Sequence, residues 1–129
     1  MKKDSELVYP ELSYKIVGFL FEVYNTIGPG HKEKVYEEAV SSLLTENGIK
    51  HNRQVYFPVK FRNKVIGKYY LDLLIEDKIV LELKKGNRVS KRNIDQILSY
   101  LKAKNLKLGI IAQFGTDEVK FKRILNIRG

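Results

Sequence analysis

The chain has 129 residues, 43% of them hydrophobic, a length that suits one core but not two ordinary domains, so a single domain over residues 1–129 is expected. Lys and Arg number 24 against 15 Asp and Glu, and the net charge of +9 predicts a polyanionic partner, by default nucleic acid. The absence of cysteine excludes disulfides, thiolate nucleophiles and cysteine-ligated zinc sites.

The N-terminal segment MKKDSELVYP opens with basic residues but has no apolar stretch behind them, which is not the pattern of a secretory signal. The longest apolar runs of the chain have the length of strands, too short to span a membrane. The sequence therefore predicts a cytoplasmic protein that does not associate with membranes.

Two helices are predicted in the first part of the chain. From Glu11 to Ile27 apolar residues recur at steps of three and four, the period of an amphipathic helix. The sequence Gly-Pro-Gly at 28–30 then breaks the pattern, and a second helix is expected from about Lys32 to Asn47, ending at Gly48. Its buried side is predicted to carry Tyr36, Ala39, Val40, Leu43 and Leu44.

Three strands follow, because the apolar pattern changes to period two. The first strand is predicted from the alternation of Val55, Phe57, Val59 and Phe61. A turn at Asn63 and Lys64 leads into a second strand at 65–75, and a tight connection at 76–78 leads into a third strand at 79–84. These strands are expected to form an antiparallel meander.

Ser90 is positioned to cap a third helix, whose buried stripe is Ile94, Ile97, Leu98 and Leu101. The apolar run LKLGIIAQF predicts a strand buried on both faces, and the tail VKFKRILNI predicts a last strand. The element order is then α-α-β-β-β-α-β-β. A helix between two strands favours a parallel crossover, so we expect an α/β fold with a central mixed β-sheet flanked by α-helices.

The connection at 76–78 sets the register of the second and third strands. A three-residue loop there pairs Ile75 with Ile79, and counting outward brings Asp72 opposite Glu82. Alternation then predicts one charged face, with Tyr70, Asp72, Glu82 and Lys84. The opposite face is predicted to be wholly apolar, with Leu71, Leu73, Ile75, Ile79, Leu81 and Leu83.

Two carboxylates opposed at about 5 Å repel each other, and a divalent cation would compensate them. Mg²⁺ suits such a site because it binds one or two carboxylates together with water and substrate phosphate. Lys84 lies on the same face, about 6 to 7 Å along the strand from Glu82, and is within reach of a phosphate or an attacking water. The alternative is a solvated charged face in which Lys84 forms a salt bridge with Glu82 or Asp72.

The combination of Asp72 with Glu82-Leu83-Lys84 on two adjacent strands resembles the PD-(D/E)XK nuclease superfamily. The resemblance implies a restriction-endonuclease-like core in which Asp72 and Glu82 bind Mg²⁺ or Mn²⁺ with the backbone carbonyl of Leu83. It also implies that Lys84 supports the attacking water. The residue before Asp72 is Leu71 rather than the proline in the name of the superfamily.

The third predicted helix carries Gln96 and Tyr100, which match the Q-x-x-x-Y pattern of RecB-like branches of this superfamily. The resemblance implies that both contact nucleic acid or support the site. Alternatively, Tyr100 is an aromatic residue at the edge of the core.

The sequence GPGHKEKVY at the start of the second helix is similar to the small prokaryotic GxxExxY group, with Gly30, Glu33 and Tyr36 at the named positions. The resemblance implies that Glu33 is a catalytic glutamate that approaches the metal. Helical spacing also predicts that Glu33 faces inward, with Glu37 as the fallback ligand at the edge of the same arc. Alternatively, Glu33 is a first-turn glutamate favoured by the helix dipole.

A basic segment follows the motif. Its basic residues are Lys85, Arg88, Lys91 and Arg92, and Gly86 and Asn87 allow a turn between them. These four residues are predicted to bind a phosphate backbone without reading base sequence. The alternative role of these charges is solubility.

The sequence favours a Mg²⁺-dependent nuclease that hydrolyses phosphodiester bonds in DNA. The alternatives are a nucleic-acid-binding module that does not cut and a scaffold for protein partners. DNA or RNA preference, cutting at ends or internally, and the formation of a homodimer are left open by the sequence.

Overall fold

The computed structural model describes residues 8–126. Within this range the helices are α1 (Pro10–Ile27), α2 (Glu33–Glu46) and α3 (Lys91–Lys104), and the strands are β1 (His51–Phe61), β2 (Lys64–Ile75), β3 (Ile79–Lys85), β4 (Leu108–Phe114) and β5 (Val119–Leu125). The predicted order of elements is confirmed. The first seven residues of the N-terminal segment and Ile127 of the predicted last strand lie outside the described residues.

The five strands form one mixed sheet in the order β1-β2-β3-β4-β5. Strands β3 and β4 are parallel, with Ile79 paired to Leu108, and α3 provides the crossover between them. All other neighbouring strands are antiparallel. The predicted α/β fold with a mixed sheet and flanking helices is therefore confirmed.

Helices cover both faces of the sheet and create two apolar layers. On the front face, α1 and α2 pack against the sheet through a cluster that includes Ile16, Leu20, Tyr36, Val40, Leu73, Leu81 and Leu83. On the back face, α3 packs through a cluster that includes Phe57, Leu71, Val80, Ile97, Tyr100, Leu101 and Ile111. Strand β3 lies between the two layers, and its residues 79–83 are all buried.

The turn between β1 and β2 differs from the prediction by one residue. Arg62 and Asn63, not Asn63 and Lys64, form the turn, with φ values of 52° and 66°. Positive φ at both central residues is the type I′ geometry, whose twist matches that of the flanking strands and which asparagine tolerates well. Lys64 is consequently the first residue of β2.

The start of α2 is fixed by Tyr36. Its ring stacks on Phe114 of β4 with centroids 3.9 Å apart and an interplanar angle of 3°. Its hydroxyl donates a hydrogen bond of 2.7 Å to the carbonyl of Gly28 in the preceding turn. These contacts hold the first turn of α2 next to the ends of β3 and β4.

On the opposite side of the sheet, α3 begins as predicted, because the Ser90 side chain accepts a hydrogen bond from the Asn93 amide. Ile97 of this helix packs over Gly109 of β4. None of the helices within residues 8–126 combines the length and apolar character needed to cross a bilayer.

We predict that Gly109→Ala lowers the free energy of unfolding by about 1–3 kcal/mol, the usual cost of overpacking a core. A Cβ atom at this position would lie 2.6 Å from Cγ2 of Ile97, so α3 would have to shift. Gly18→Ala is the matched control, since Gly18 is exposed on α1 with no atom within 4 Å of the added Cβ. In the control, the free energy of unfolding should rise by about 0.5–1 kcal/mol, because alanine is a better helix former than glycine. Urea unfolding of both variants checks the difference, and equal stabilities would contradict the described packing of α3.

Candidate active site

Strands β2 and β3 separate at the level of Asp72 and Glu82. Their backbone pairing runs from Ile75 and Ile79 to Leu73 and Leu81, in the register predicted from the three-residue loop.

Beyond that pair the carboxylates serve as acceptors in place of backbone carbonyls. The Asp72 amide donates to Glu82 Oε1 at 2.6 Å, and the Leu83 amide donates to Asp72 Oδ2 at 2.8 Å. We call this reciprocal arrangement of Asp72, Glu82 and Leu83 the carboxylate fork.

Strand β1 is irregular at the same level. Gln54 has a φ of 51°, and the pairing of β1 with β2 omits Gln54 and Asp72 although it includes the residues on either side. The side-chain amide of Gln54 donates from Nε2 to Glu37 Oε1 at 2.6 Å and to Asp72 Oδ1 at 3.3 Å. The sequence analysis did not identify Gln54, because it occupies an ordinary polar position in an alternating strand.

The irregularity at Asp72 overturns the predicted division of faces. Leu71 belongs to the back cluster, whereas Leu73 belongs to the front cluster, so alternation is interrupted between them. Tyr70 therefore does not share a face with Glu82, and the predicted faces of Tyr70 and Leu71 are wrong. The face that carries Glu82 is also not a solvated surface, because its neighbour Val80 on that face packs in the back cluster beneath α3.

Glu82 is buried, with 8% of its surface exposed. Burial, and then the nearby negative charge of Asp72, raise the pKa of Glu82 to about 7. Burial also raises the pKa of Asp72, followed by the charge of Glu37, while the hydrogen bond from the Leu83 amide opposes the rise. Lys84 lies with Nζ 3.8 Å from Glu82 Oε2 and favours the ionised carboxylates. The fork therefore holds two carboxylates whose negative charge is poorly compensated.

The two glutamates of α2 that were predicted as candidate metal ligands, Glu33 and Glu37, have different environments from those predicted. Glu33 is exposed, and its Oε2 accepts a hydrogen bond of 3.0 Å from the Lys85 amide at the end of β3. The prediction that Glu33 faces inward is wrong, because the first turn of α2 passes the end of β3 rather than its centre. Glu37 is buried instead and forms a 2.9 Å ion pair with Arg53.

An open cleft of about 600 Å³ lies beside Asp72, between the start of α2 and strands β1 and β2. Its lining consists of Glu33, Lys34, Glu37, Arg53, Gln54 and Asp72. A ligand in this cleft would reach Asp72 from the front of the sheet.

The donor set of the fork fits a divalent cation of the hard, oxygen-preferring kind. Asp72 and Glu82 supply two adjacent carboxylates, and Mg²⁺ commonly binds through one or two carboxylates with water completing its shell. Across the part of the chain that the structure describes, no three acidic or histidine side chains converge on one point. Glu33, the third carboxylate predicted, lines the same cleft as Asp72 but accepts its hydrogen bond from the Lys85 amide.

The residues predicted to bind nucleic acid differ in their exposure to solvent. Lys85, Arg88, Lys91 and Arg92 are exposed beyond the motif. Gln96 is half-buried and lines a groove between α3 and β2. Tyr100, in contrast, is only 3% exposed and packs edge to face against Phe57. The predicted contact of Tyr100 with nucleic acid is wrong, because its ring is part of the back cluster.

The chain is similar to a protein family and to solved structures. A family model described as the PD-(D/E)XK nuclease superfamily matches residues 10–124. The crystal structure of SSO0001 is similar to this chain with a TM-score of 0.56 and 22% sequence identity, a likeness that concerns the fold. The similarity covers 75% of this chain and 52% of the SSO0001 chain, so this chain spans about half the length of that one. No curated protein matches the chain.

We predict that, in EDTA, the free energy of unfolding falls as the pH rises from about 4.5 to about 7. The folded protein keeps the Glu82 proton up to about pH 7, whereas the unfolded chain releases it near the ordinary value of 4.5. At about 1.4 kcal/mol per pKa unit the loss is on the order of 3–4 kcal/mol, complete above pH 7.

Urea unfolding at pH 5 and pH 8 measures this difference in wild type, in Glu82→Gln and in the exposed control Glu22→Gln. Glu82→Gln should remove most of the pH dependence and be more stable than wild type at pH 8, because a neutral amide does not repel Asp72. An unchanged pH dependence in Glu82→Gln would contradict the raised pKa of Glu82.

Proposed function

The chain belongs to the PD-(D/E)XK nuclease superfamily, and we propose that it hydrolyses phosphodiester bonds in DNA with the help of Mg²⁺, or alternatively Mn²⁺. The carboxylate fork is the observation that carries this proposal. Two carboxylates that accept hydrogen bonds from opposite strands are held together despite their repulsion, with Glu82 buried and Asp72 half-buried. Such an arrangement lowers stability and is characteristic of sites where charge is used for chemistry.

We propose that Asp72, Glu82 and the carbonyl of Leu83 hold the metal ion. The bound ion would supply Lewis acidity toward a phosphate oxygen and lower the pKa of a water. The protein contributes the position of these ligands, since each carboxylate is fixed by an amide of the neighbouring strand.

Lys84 is proposed to act on the reacting groups. Its ammonium group lies beside Glu82, and its side chain is about one quarter exposed, so it can approach a phosphate bound at the fork. There it would orient the attacking water and offset the negative charge that develops on the phosphate during attack. The exposed Lys85, Arg88, Lys91 and Arg92 would bind neighbouring phosphates of the strand.

We assign Glu33 and Glu37 positioning roles rather than metal binding. Glu33 accepts a hydrogen bond from the Lys85 amide, which fixes the residue next to Lys84. Glu37 binds Arg53 and Gln54, and Gln54 in turn contacts Asp72. The residues Gly30, Glu33 and Tyr36 also support membership of the prokaryotic GxxExxY group, and a cytoplasmic location, where DNA is accessible, belongs to the same proposal.

A nucleic-acid-binding module that does not cut remains the second candidate. One observation favours it: both oxygens of Asp72 already accept hydrogen bonds, from Leu83 and from Gln54. In the described residues, moreover, the carboxylates near the cleft do not form a ready three-ligand cluster. Catalysis therefore requires that two carboxylates, a backbone carbonyl and the substrate are enough to hold the metal ion.

We predict that wild-type protein degrades DNA in the presence of Mg²⁺ or Mn²⁺ and is inactive in EDTA. Asp72→Asn and Lys84→Ala should each reduce the initial rate by at least about a hundredfold, as expected for loss of a group that stabilises charge at the reacting centre. Single-stranded, duplex and branched DNA and an RNA strand serve as substrates in a gel assay.

Asp77→Asn and Lys102→Ala are the matched controls for this assay. Asp77 is exposed in the turn between β2 and β3, Lys102 is exposed on α3, and both lie outside the proposed site. Binding without cleavage by wild type would favour the second candidate. Cleavage by Asp72→Asn at the wild-type rate would contradict the assignment of the fork.

Glu33 is tested by two substitutions that separate positioning from metal binding. Glu33→Gln keeps an oxygen that can accept from the Lys85 amide, so we predict activity close to wild type. Glu33→Ala removes the acceptor and should lower the rate by roughly tenfold, the usual scale for groups that orient a metal site. The rate at saturating metal and the metal concentration for half-maximal rate are measured together. Equal, severe losses in both variants would instead identify Glu33 as a ligand.

A further inference from the structure

Strand β1 and most of β2 form a basic arm next to the proposed site. From His51 to Leu71 the sequence contains no Asp or Glu. The same stretch, which we call the hairpin arm, contains five cationic residues, Arg53, Lys60, Arg62, Lys64 and Lys68. Arg53 is paired with Glu37 and Glu38 of α2, so the charge of the arm comes from the other four. The arm therefore carries a concentrated positive charge independent of the basic segment that follows the motif.

The hairpin arm also exposes two tyrosines that lie side by side. Tyr56 and Tyr70 are directly paired across β1 and β2, and their ring centroids are 5.6 Å apart. The two residues are 49% and 47% exposed, respectively. Adjacent aromatic rings left uncovered on a charged surface are a feature of interaction sites rather than of ordinary solvated strands.

The tyrosine pair lies on the front of the sheet, near the cleft. Tyr69 points to the back, where it packs against Phe57 and its hydroxyl donates to the carbonyl of Gln96. Tyr70 must therefore point to the front, the side of α2. Tyr56 and Tyr70 lie two residues from Gln54 and Asp72, respectively, which corresponds to about 6 to 7 Å along a strand.

The end of the arm repeats the combination of aromatic and cationic groups. Phe61 is exposed beside the turn, and the Arg62 guanidinium lies 5.2 Å from the centre of its ring. Exposed Ile66 follows on β2. Apolar and cationic side chains thus extend from the cleft to the tip of the hairpin.

From this placement we infer that the hairpin arm binds a DNA strand with unpaired bases, which stack on Tyr56 and Tyr70 while the lysines and arginines of the arm contact its phosphates. The inference deepens the proposed function and rests on it, since it names single-stranded DNA as the substrate class. Aromatic side chains stack on bases whose faces are free, and a duplex hides those faces.

Charge complementarity favours DNA over a second copy of the chain as the partner. A two-fold contact between hairpin arms would bring the five cationic residues of one arm against the same five residues of the other. Like charges at that density oppose association. A polyanionic strand gains affinity from Lys60, Arg62, Lys64 and Lys68, whereas Arg53 is already paired with Glu37 and Glu38.

Fluorescence anisotropy in EDTA and low salt tests the inference without cleavage. The probes are a labelled oligo(dT) strand of about 15 nucleotides, a length in the range of single-strand binding sites, and a blunt duplex of equal length. The double variant Tyr56→Ala/Tyr70→Ala should bind the single strand at least about fivefold more weakly than wild type and bind the duplex unchanged. Tyr56→Phe/Tyr70→Phe should bind like wild type, because phenylalanine preserves the stacking surface.

Tyr14→Ala is the matched control, since Tyr14 is 80% exposed on α1, away from the arm. Single-strand affinity that is equal in the double alanine variant and in Tyr14→Ala would overturn the inference. An equal loss on the duplex and on the single strand would also overturn it, because the tyrosines would then not distinguish unpaired bases.

A second measurement does not depend on the folding of the alanine variant. The chain has no tryptophan, so Tyr70→Trp introduces a single reporter at the proposed stacking surface. Its emission should be quenched by oligo(dT) and not by the duplex. Emission that changes with protein concentration instead of with added oligo(dT) would identify a second copy as the partner and overturn the inference.

The outcomes separate this inference from the proposed function. Tyrosine-dependent binding of oligo(dT) by a wild-type protein that cuts nothing in Mg²⁺ or Mn²⁺ would refute the nuclease and leave the hairpin arm as a single-strand binding surface. Metal-dependent cleavage that favours the duplex and is unaffected in the double alanine variant would refute the arm and leave the nuclease.

Discussion

The separation of β2 from β3 is the constraint on which the rest of the structure depends. Where the strands separate, the amides of Asp72 and Leu83 lose their backbone partners, and buried amides need acceptors. The side chains of Glu82 and Asp72 provide them. Two carboxylates that would otherwise repel each other are thus held together by the hydrogen-bonding requirement of the sheet itself.

The surrounding layers bury Glu82 of the carboxylate fork. Tyr36 fixes α2 against β4, and Glu33 links the same helix to the end of β3. On the other face α3 covers β3, which leaves Glu82 with little access to water. The raised pKa of Glu82 is the result of this enclosure. The buried carboxylate makes the folded protein less stable than a solvated one would. Such a loss of stability is common at sites of chemistry.

The regular parts of the molecule could be predicted from sequence because they follow from periodicity. A three-residue connection fixed the pairing of Ile75 with Ile79, and the crossover helix implied the parallel pair. The irregular parts depend on contacts between segments distant in the chain. Gln54 acquires its role only from the folded proximity of Glu37 and Asp72, and the interruption at Asp72 arises from the loss of ladder bonds. Alternation alone carries no information about either.

Strand β1 forms an edge of the sheet, and its outer backbone groups have no neighbouring strand within the described residues. Exposed edges invite the addition of strands from other molecules and, with repetition, the growth of fibrils. Pro58 lacks an amide proton, and the register shifts between Val59 and Lys60, so a regular ladder cannot form along the full strand. The same strand that leaves its aromatic rings open to a partner is therefore protected against aggregation through its backbone.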